Sequence, residues 1–447
     1  MTIYDEYGFP LPASAVEHHT SGLEIWYAED EVLTTTEDLE RTRQELEARG
    51  LRVQDVTPLP DLGVEKVLVE RPPAGGPPLH DVVDEIVDDV SPTITVRLNH
   101  YLYAMSHIHV WPGCLPTARS EPAPIDPDRS RGAGQLVVVL DTGIQHQPWF
   151  GDSVDARSDP EEREAVTTAN GPYLSPLWGH GTFAAGVVHA HAPGATIVVE
   201  RLRLRHSMAK ADEVALQIAA LAGAGPDVVN LSWGSYSHRN LGTLAVERAV
   251  ARLLELSPKT AVVAAAGNDG VDVPTWPAAA KAVVAVGATG PDGRPARVHT
   301  DCQPPFDHWG SNFGDWVDLY APGVDVAGPF AVPTKTDLPT LAGGDAGQFA
   351  SGSATWGGTS FAAPFVAAQV AVDAAARGVT AAEAARALVD QRRRPGLVDL
   401  TGPRPAAGNG ARLTARAGAR GRRRAGTGPG CGRAPGGAAG ARARRAA

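Results

Sequence analysis

Cysteine is scarce in this chain of 447 residues, which holds Cys114, Cys302 and Cys431. Three cysteines cannot form a disulfide framework, because one is left over in any pairing. The sequence therefore predicts reduced cysteines and a cytoplasmic protein, with secretion by another route left open. A run of 18 apolar residues is lacking, and so are the basic and apolar regions of a signal peptide, so neither a membrane span nor a leader is expected.

Basic residues are few outside the last 47 positions. Residues 401–447 contain 11 arginines and no acidic residue, so residues 1–400 hold 29 basic against 51 acidic side chains, a formal net charge of −22. Such an acidic balance argues against nucleic acid as a partner of the folded part.

The last 47 residues also include 14 alanines and 12 glycines, a composition typical of disorder. We expect a disordered tail there; a polyanion-binding tail, a solvated extension and a reading-frame artefact are all left open.

The first part of the chain alternates predicted strands and helices. Residues 1–20 show no pattern and are expected to be flexible. Strands are predicted at 23–27, 51–56, 64–70 and 93–98, and helices at 36–49 and 79–90. Strand, helix, two strands, helix, strand is the order of a ferredoxin-like module, so residues 21–111 predict a small α+β domain. Residues 112–132, rich in Pro, Arg, Ser and Asp, are expected to be a linker.

From residue 133 to residue 400 short apolar runs alternate with helical stretches. The runs lie at 135–140, 196–200, 227–231, 260–265 and 282–286, and the helices at 180–191, 209–222, 242–256 and 360–377. Apolar runs without polar alternation are typical of strands buried on both faces. They predict an α/β fold with a mostly parallel sheet and helices on both faces. Ligands bind at the carboxyl ends of such strands, and Asp141 directly follows the first run.

Three short motifs place an acid, a base and a nucleophile in the chain order Asp141, His180, Ser360. Asp141 precedes Thr-Gly, His180 stands between glycines, and Ser360 lies in Gly-Thr-Ser-Phe-Ala-Ala-Pro. A serine hydroxyl becomes a good nucleophile when a histidine accepts its proton, and a carboxylate orients that histidine. Each residue alone has a structural alternative: a turn former for the acid, a helix-start residue for the base and a helix N-cap for the serine. Their joint order favours nucleophilic catalysis.

These motifs resemble the three active-site signatures of the subtilisin-like serine proteases, over about residues 133–395. The resemblance implies a seven-stranded, mostly parallel sheet and a serine endopeptidase acting on peptides or proteins. In that role Ser360 forms the acyl-enzyme, His180 is the general base and Asp141 orients it.

We expect no metal and no cofactor, because the chain between the His180 helix and Thr196 is shorter than the calcium loop of secreted members. His189 and His191 lack supporting ligands and are expected to be packed or solvated.

Two further segments resemble that family. Ala-Ala-Ala-Gly-Asn268-Asp-Gly is similar to the segment with the oxyanion-hole asparagine, whose side-chain N–H stabilises charge on the scissile carbonyl oxygen. A Gly-Asn-Asp-Gly turn is its structural alternative. Asn-Leu-Ser232-Trp233-Gly234 is similar to the segment whose backbone pairs with an extended substrate. Trp233 can equally be a core aromatic residue.

In position and element order, the module at 21–111 resembles the propeptide of these proteases. It is therefore expected to inhibit in cis and to be cut from the enzyme at about residues 111–134. An independent interaction domain is the alternative.

For the block at 133–400 two other functions stay open. One is a peptide ligase or macrocyclase, in which an amine resolves the acyl-enzyme. The other is a non-catalytic binding module on the protease fold.

Overall fold

The computed structural model describes residues 3–4, 10–12, 15–20, 23–70, 76–90, 94–104, 114–161, 163–205, 207–296, 309–341 and 343–392. The predicted tail at 401–447, Cys302 and Cys431 lie outside these residues. Within them, Cys114 is disulfide-bonded, so the prediction of reduced cysteines is wrong. The prediction failed because a count of three still permits one bond, and sequence spacing does not say which cysteines meet in the fold.

The N-terminal part of the chain forms an antiparallel sheet with two helices. Its elements are β1 (Ile3–Tyr4), β2 (Pro10–Leu11), β3 (Ala15–Thr20), β4 (Leu23–Thr35), α1 (Leu39–Ala48), β5 (Arg52–Leu59), β6 (Val64–Glu70), α2 (Leu79–Val90) and β7 (Val96–Ala104). Strands β7, β4, β6 and β5 pair antiparallel in that order, as a ferredoxin-like module requires. This confirms the predicted module. Strand β3, in the segment expected to be flexible, is ordered by pairing with β4.

The rest of the described chain is built on a parallel sheet. Its elements are β8 (Thr117–Ala118), β9 (Leu136–Asp141), β10 (Ala165–Thr168), β11 (Gly171–Leu174), α3 (His180–His191), β12 (Thr196–Arg201), β13 (Met208–Lys210), α4 (Ala211–Ala220), β14 (Val228–Leu231), β15 (Trp233–Gly234), α5 (Leu244–Leu256), β16 (Ala261–Ala265), β17 (Val283–Thr289), β18 (Leu319–Pro322), β19 (Val326–Pro329), β20 (Ser353–Trp356), α6 (Thr359–Arg377) and α7 (Ala381–Arg392). Six strands run parallel in the order β12-β9-β14-β16-β17-β18. The parallel sheet is confirmed, with six strands among the described residues where the resemblance implies seven.

Alternate side chains of β9 show that this sheet is buried on both faces. Val137 and Val139 pack in one core with residues of α3 and α6. Val138 and Leu140 pack in a second core with residues of α4 and α5. Successive side chains of a strand point to opposite faces, so all four are fully buried only because helices cover both. The predicted helices on each face of the sheet are confirmed.

Helix α6 is the central helix of this packing. It is, within the described part of the chain, the one helix long and apolar enough to cross a membrane by length and composition. However, 78% of its most apolar window is buried inside the protein. Its apolar character therefore reflects burial against the sheet, as expected for a core helix.

The sheet of the N-terminal module also buries both of its faces. Val32, Val67 and Ile86 belong to the core that this sheet forms with α1 and α2. Leu33 and Val64 instead share a core with residues of α4 and α5. Since Val32 and Leu33 are neighbours on β4, they point to opposite faces of the sheet. The module therefore packs on the domain that carries the parallel sheet.

The segment at 112–132 was expected to be a linker, and its described part, 114–132, also packs on that domain. Strand β8 pairs antiparallel with β20. The backbone N–H of Asp126 donates to the carbonyl oxygen of Ala190 at 2.9 Å. The indole Nε1 of Trp149 donates to the carbonyl oxygen of Ala123 at 3.1 Å. This segment thus has ordered partners along its length, in place of the free chain that its composition indicates.

Charged side chains form ion pairs between the N-terminal module and the domain that carries the parallel sheet. Lys66 of β6 pairs with Asp212 of α4 at 2.8 Å, and Lys210 pairs with Glu31 of β4 at 2.7 Å. Asn99 of β7 also donates to Asp212, at 2.9 Å. Burial alone would raise the pKa of Asp212, but hydrogen bonds from Lys66 and Asn99 outweigh burial, and this pKa is lowered. The interface therefore contains paired charges, which avoids the large cost of a bare buried charge.

A buried histidine makes the same interface sensitive to pH. His100 of β7 is 1% exposed, and its Nε2 accepts a hydrogen bond from the backbone N–H of His238 at 2.9 Å. Burial, together with the nearby His238 and Arg97, lowers the pKa of His100 to about 3. The folded protein therefore holds His100 neutral at pH values where an exposed histidine is already protonated.

We expect the free energy of unfolding to fall as the pH drops from about 6.5 towards 3. His100 binds a proton in the unfolded chain but not in the folded one, so acidification favours unfolding by up to about 1.4 kcal/mol per pH unit in this window, and not above it. Thermal melts of His100→Gln should show a shallower pH dependence than those of the wild type. His146→Gln, at an exposed histidine, is the control. Equal slopes for all three proteins would contradict this account.

Candidate active site

Three neighbouring strands of the parallel sheet end side by side, and a predicted site residue lies at or just after each end. Strand β9 ends at Asp141, β14 is followed directly by Ser232, and Asn268 lies three residues beyond β16. The carboxyl ends of adjacent parallel strands form one edge of a sheet, where ligands bind in folds of this kind. The structure therefore brings these three residues to one edge, where the sequence had placed Asp141 alone.

The predicted acid and base are directly hydrogen bonded. His180 is the first residue of α3, and its Nδ1 lies 2.7 Å from Oδ1 of Asp141. The same oxygen accepts the backbone N–H of Thr142 at 2.8 Å. Because a carboxylate accepts hydrogen bonds, Nδ1 of His180 carries the hydrogen and Nε2 is the basic atom. Both side chains are buried, and Nε2 has no hydrogen-bond partner among the described residues.

Ser360 is the second residue of α6. The N-cap position of this helix is Gly358 and makes no side-chain cap, so the N-cap alternative for Ser360 does not hold. The Oγ of Ser360 donates to the carbonyl oxygen of Ser232 at 3.2 Å. The ring of His180 lies 5.2 Å from that of Phe361, between centroids. The hydroxyl has one hydrogen, so Ser360 must break its bond to Ser232 before it can donate to His180. In many enzymes such a bond to the base tightens only when substrate binds.

Asn268 is held by the residue that precedes the serine. Its Oδ1 accepts from the backbone N–H and from the hydroxyl of Thr359, at 2.8 and 3.0 Å. The hydroxyl of Thr359 in turn accepts the backbone N–H of Gly267 at 3.0 Å. These bonds fix which end of the amide faces α6, so Nδ2 is the end that can donate to another group. A fixed side-chain donor beside the serine is what an oxyanion hole requires.

Ser232 supports the first turn of α6. Its Oγ donates to the carbonyl oxygen of Ser360 at 2.8 Å and accepts from Nδ2 of Asn230 at 2.9 Å. Its own carbonyl oxygen accepts the hydroxyl of Ser360. Two hydrogen bonds thus join Ser232 to the candidate nucleophile, one in each direction. The predicted role of Ser232 in substrate binding stays a prediction.

Trp233 is a buried aromatic residue, one of the two interpretations that the sequence left open, and its role in substrate binding stays a prediction. Its indole is 1% exposed and donates Nε1 to the carbonyl oxygen of Leu140 at 2.8 Å, as a core aromatic residue would. The backbone of Trp233 and Gly234, strand β15, pairs antiparallel with Ala104 and Tyr103 of β7. On its other side β7 pairs antiparallel with β13. One extended strand of the N-terminal module therefore lies between two strands of the parallel-sheet domain.

The histidines near the end of α3 are packed against aromatic rings. His189 lies 5.0 Å from Trp149 and His191 lies 4.5 Å from Phe365, between ring centroids. Burial lowers the pKa of both histidines to about 4. Within the described residues, no group of three His, Cys, Asp or Glu side chains is arranged to hold a metal ion.

The chain is similar to known proteins over the part that carries the candidate site. The family model described as the subtilase family matches residues 132–418. The chain belongs to the subtilase family. It is 32% identical over 218 residues to the thermophilic serine proteinase of Bacillus sp. (strain AK1), covering 44% of this chain and 46% of the relative. It is 29% identical over 216 residues to Subtilisin Savinase of Lederbergia lenta, covering 46% of this chain and 70% of the relative.

Two solved structures are similar to this subtilase at lower sequence identity than the curated relatives above. A cold adapted subtilisin-like serine proteinase has a TM-score of 0.44 and 23% identity, covering 64% of this chain and 93% of that one. Fervidolysin from Fervidobacterium pennivorans has a TM-score of 0.47 and 17% identity, covering 86% and 60%. The chain spans about half the length of the curated relatives that it matches first.

Two residues that hold the site of this subtilase together were not predicted. Thr359 anchors Asn268, and its place beside Ser360 is the signal that could have indicated it. Glu161 accepts hydrogen bonds from the hydroxyls of Thr142 and Thr182, each at 2.6 Å. Glu161 lies between β9 and β10, in an irregular segment without periodic pattern, so no local signal marks it.

Proposed function

We propose that this subtilase is a serine endopeptidase that hydrolyses peptide bonds through an acyl-enzyme on Ser360. The observation that carries the proposal is the 2.7 Å hydrogen bond between His180 and Asp141, beside the helix turn that holds Ser360. It leaves a basic imidazole nitrogen to activate the hydroxyl. The anchored amide of Asn268 supports the same assignment, because hydrolysis needs a donor for the oxyanion as well as a base.

The reaction begins when the Ser360 hydroxyl turns from Ser232 to Nε2 of His180. As Oγ attacks the scissile carbonyl carbon, Nε2 takes the proton, and Asp141 stabilises the resulting imidazolium. Nδ2 of Asn268 and the backbone N–H of Ser360 donate to the carbonyl oxygen as it becomes negative. His180 then protonates the leaving amine. Water attacks the acyl-enzyme with His180 again acting as base, which releases the acid and restores Ser360.

Incubation of the purified chain with a peptide library, followed by mass spectrometry of the products, tests this proposal. We expect internal cleavage with a gain of one water per cut. Repeating the incubation with an added amine-bearing peptide distinguishes the ligase or macrocyclase, whose products would join the acceptor or lose water by cyclisation. Unchanged peptides together with binding would favour the non-catalytic module and contradict the proposal.

We further propose that the N-terminal module inhibits the enzyme in cis. The support is the position of β7, which pairs with β13 on one side and β15 on the other. An extended peptide that adds a strand to an exposed sheet edge is a common mode of peptide recognition. We infer that β7 is bound in this way, in place of a substrate backbone. Covalent attachment raises the effective concentration of such an inhibitor to roughly millimolar. Charged pairs such as Lys66–Asp212 add to the docking.

The wild-type chain is expected to cut itself, whereas Ser360→Ala should stay at full length. We expect the cut at about residues 111–134, on the C-terminal side of β7, which is paired up to Ala104. Intact mass measurement of both proteins after reduction of disulfides checks this result. A wild-type chain that stays at full length and is fully active would leave the module as an interaction domain.

A further inference from the structure

The carboxylate of Glu161 lies between the segment that carries Asp141 and the segment that carries His180. Its Oε1 accepts the hydroxyl of Thr142, the residue after Asp141, at 2.6 Å. Its Oε2 accepts the hydroxyl of Thr182, two residues after His180, at 2.6 Å, and the backbone N–H of Thr182 at 3.3 Å. One carboxylate thus bonds both segments. Hydrogen bonds to an ionised acceptor are about twice as strong as neutral ones.

Each of the two threonine hydroxyls also accepts a backbone N–H from the opposite segment. Thr142 Oγ1 accepts from Gly181 at 2.8 Å, and Thr182 Oγ1 accepts from Gln145 at 2.9 Å. A hydroxyl has one hydrogen, so donating it to Glu161 turns the lone pairs of the oxygen towards these N–H groups. Glu161 therefore sets the direction of two hydrogen bonds that cross between the segments.

Backbone packing holds this arrangement in place. A Cβ on Gly181 would lie 2.2 Å from the carbonyl oxygen of Gly143, and a Cβ on Gly143 would lie 2.1 Å from that of Pro160. The backbone N–H of Glu161 donates to Ile144 at 3.1 Å. The three segments are thus in direct backbone contact. A change at Glu161 would therefore alter the spacing between the segment that carries Asp141 and the segment that carries His180.

We propose that Glu161 is a positioning residue for the Asp141–His180 pair. It acts through Thr142, one residue after Asp141, and Thr182, two residues after His180. Through them it keeps Asp141 and His180 placed for their 2.7 Å hydrogen bond. The inference rests on the proposed function and deepens it. A shift of about 1 Å in a catalytic group can cost on the order of 10²-fold in rate, so loss of Glu161 is expected to be felt in kcat.

Glu161→Gln in the full chain tests this inference. The side chain keeps its size and loses its charge and one acceptor oxygen, so we expect kcat to fall on the order of 10- to 100-fold with KM within about twofold. Asp155→Asn is the matched control, because this carboxylate belongs to the same stretch of chain and pairs with the exposed Arg157. An unchanged kcat in Glu161→Gln would overturn the proposal.

A double-mutant cycle separates positioning from general stability. In an Asp141→Asn background the pair is already impaired, so adding Glu161→Gln should cost little further activity. Losses that multiply would overturn the proposal. If Glu161→Gln fails to fold, Thr142→Val should reproduce the loss of kcat and Thr142→Ser, which keeps the hydroxyl, should restore it. Equal activity of the valine and serine variants would likewise count against it.

A readout without turnover distinguishes failure of this inference from failure of the proposed function. The Nδ1 proton of His180 in its bond to Asp141 should give a low-field proton resonance in the wild type. We expect Glu161→Gln to shift or broaden this signal, with Asp155→Asn unchanged. An identical signal in all three proteins overturns the positioning role. A wild-type chain that shows the signal but does not cleave peptides would overturn the proposed function alone.

Discussion

Replacing Ser360 with alanine is expected to abolish peptide hydrolysis, with a loss of about 10⁶ in kcat, the scale known for removal of the nucleophile in subtilisin. Without Oγ no acyl-enzyme can form. The fold should be kept, because the side chain is small and its hydroxyl makes one hydrogen bond, 3.2 Å long, to Ser232. Initial rates on a peptide substrate measure the loss, and thermal melts check the fold.

The matched control for that variant is Ser351→Ala. Ser351 is exposed and lies nine residues before Ser360, outside helix α6, so its loss should leave the rate unchanged. A Ser360→Ala protein that keeps more than about a hundredth of the wild-type rate would mean that another group is the nucleophile.

Replacing Asn268 with alanine is expected to lower kcat by about 10²–10³ while KM stays nearly constant, again the scale known for subtilisin. The side chain donates to charge that exists only in the transition state, so its loss raises the barrier without weakening substrate binding. Steady-state kinetics on one peptide substrate gives both constants. A variant that mainly raises KM would place Asn268 in substrate binding.

Asn268→Asp separates the donor role from a structural role. Aspartate can still accept the two hydrogen bonds from Thr359, at 2.8 and 3.0 Å in the wild type, but it has no N–H to donate. We therefore expect Asn268→Asp to be at least as inactive as Asn268→Ala and to melt at a higher temperature. An active aspartate variant would mean that Asn268 matters for holding Thr359 and not for the oxyanion.

The approximate bounds of helices with clear borders could be predicted from the sequence. Helix α2 at Leu79–Val90 and helix α3 at His180–His191 have the predicted bounds. Each begins just after a proline or glycine and ends before another breaker or a change of pattern. In such stretches the local preference and the tertiary packing agree, so the sequence pattern alone is sufficient.

Strand lengths that depend on distant partners could not be predicted. Strand β4 continues to Thr35, although the polar residues around Glu31 resemble a loop. Glu31 is accommodated because Lys210 of the other domain pairs with it at 2.7 Å. Strand β7 likewise continues to Ala104, because β13 and β15 supply hydrogen bonds on both sides. Such pairing partners lie far away in sequence and leave no local pattern.

The candidate site, too, could be predicted from the sequence only in part. The order and flanking residues of Asp141, His180 and Ser360 were enough to predict an acid–base–nucleophile site, and the structure places the first two in a hydrogen bond. The bond of Ser360 to Ser232 could not be predicted, because it depends on how β14 meets α6. Nor could the place of Glu161, which is defined by the contact of three irregular segments.

The most direct test of the central claim is to locate the serine that a fluorophosphonate probe labels. The wild-type chain is allowed to process itself, treated with the probe, digested and mapped by mass spectrometry. We predict one adduct, on Ser360, and none in His180→Ala, because the probe reacts with a hydroxyl that a base has activated. An adduct on a different serine, or an unlabelled chain that still cleaves peptides, would contradict the account.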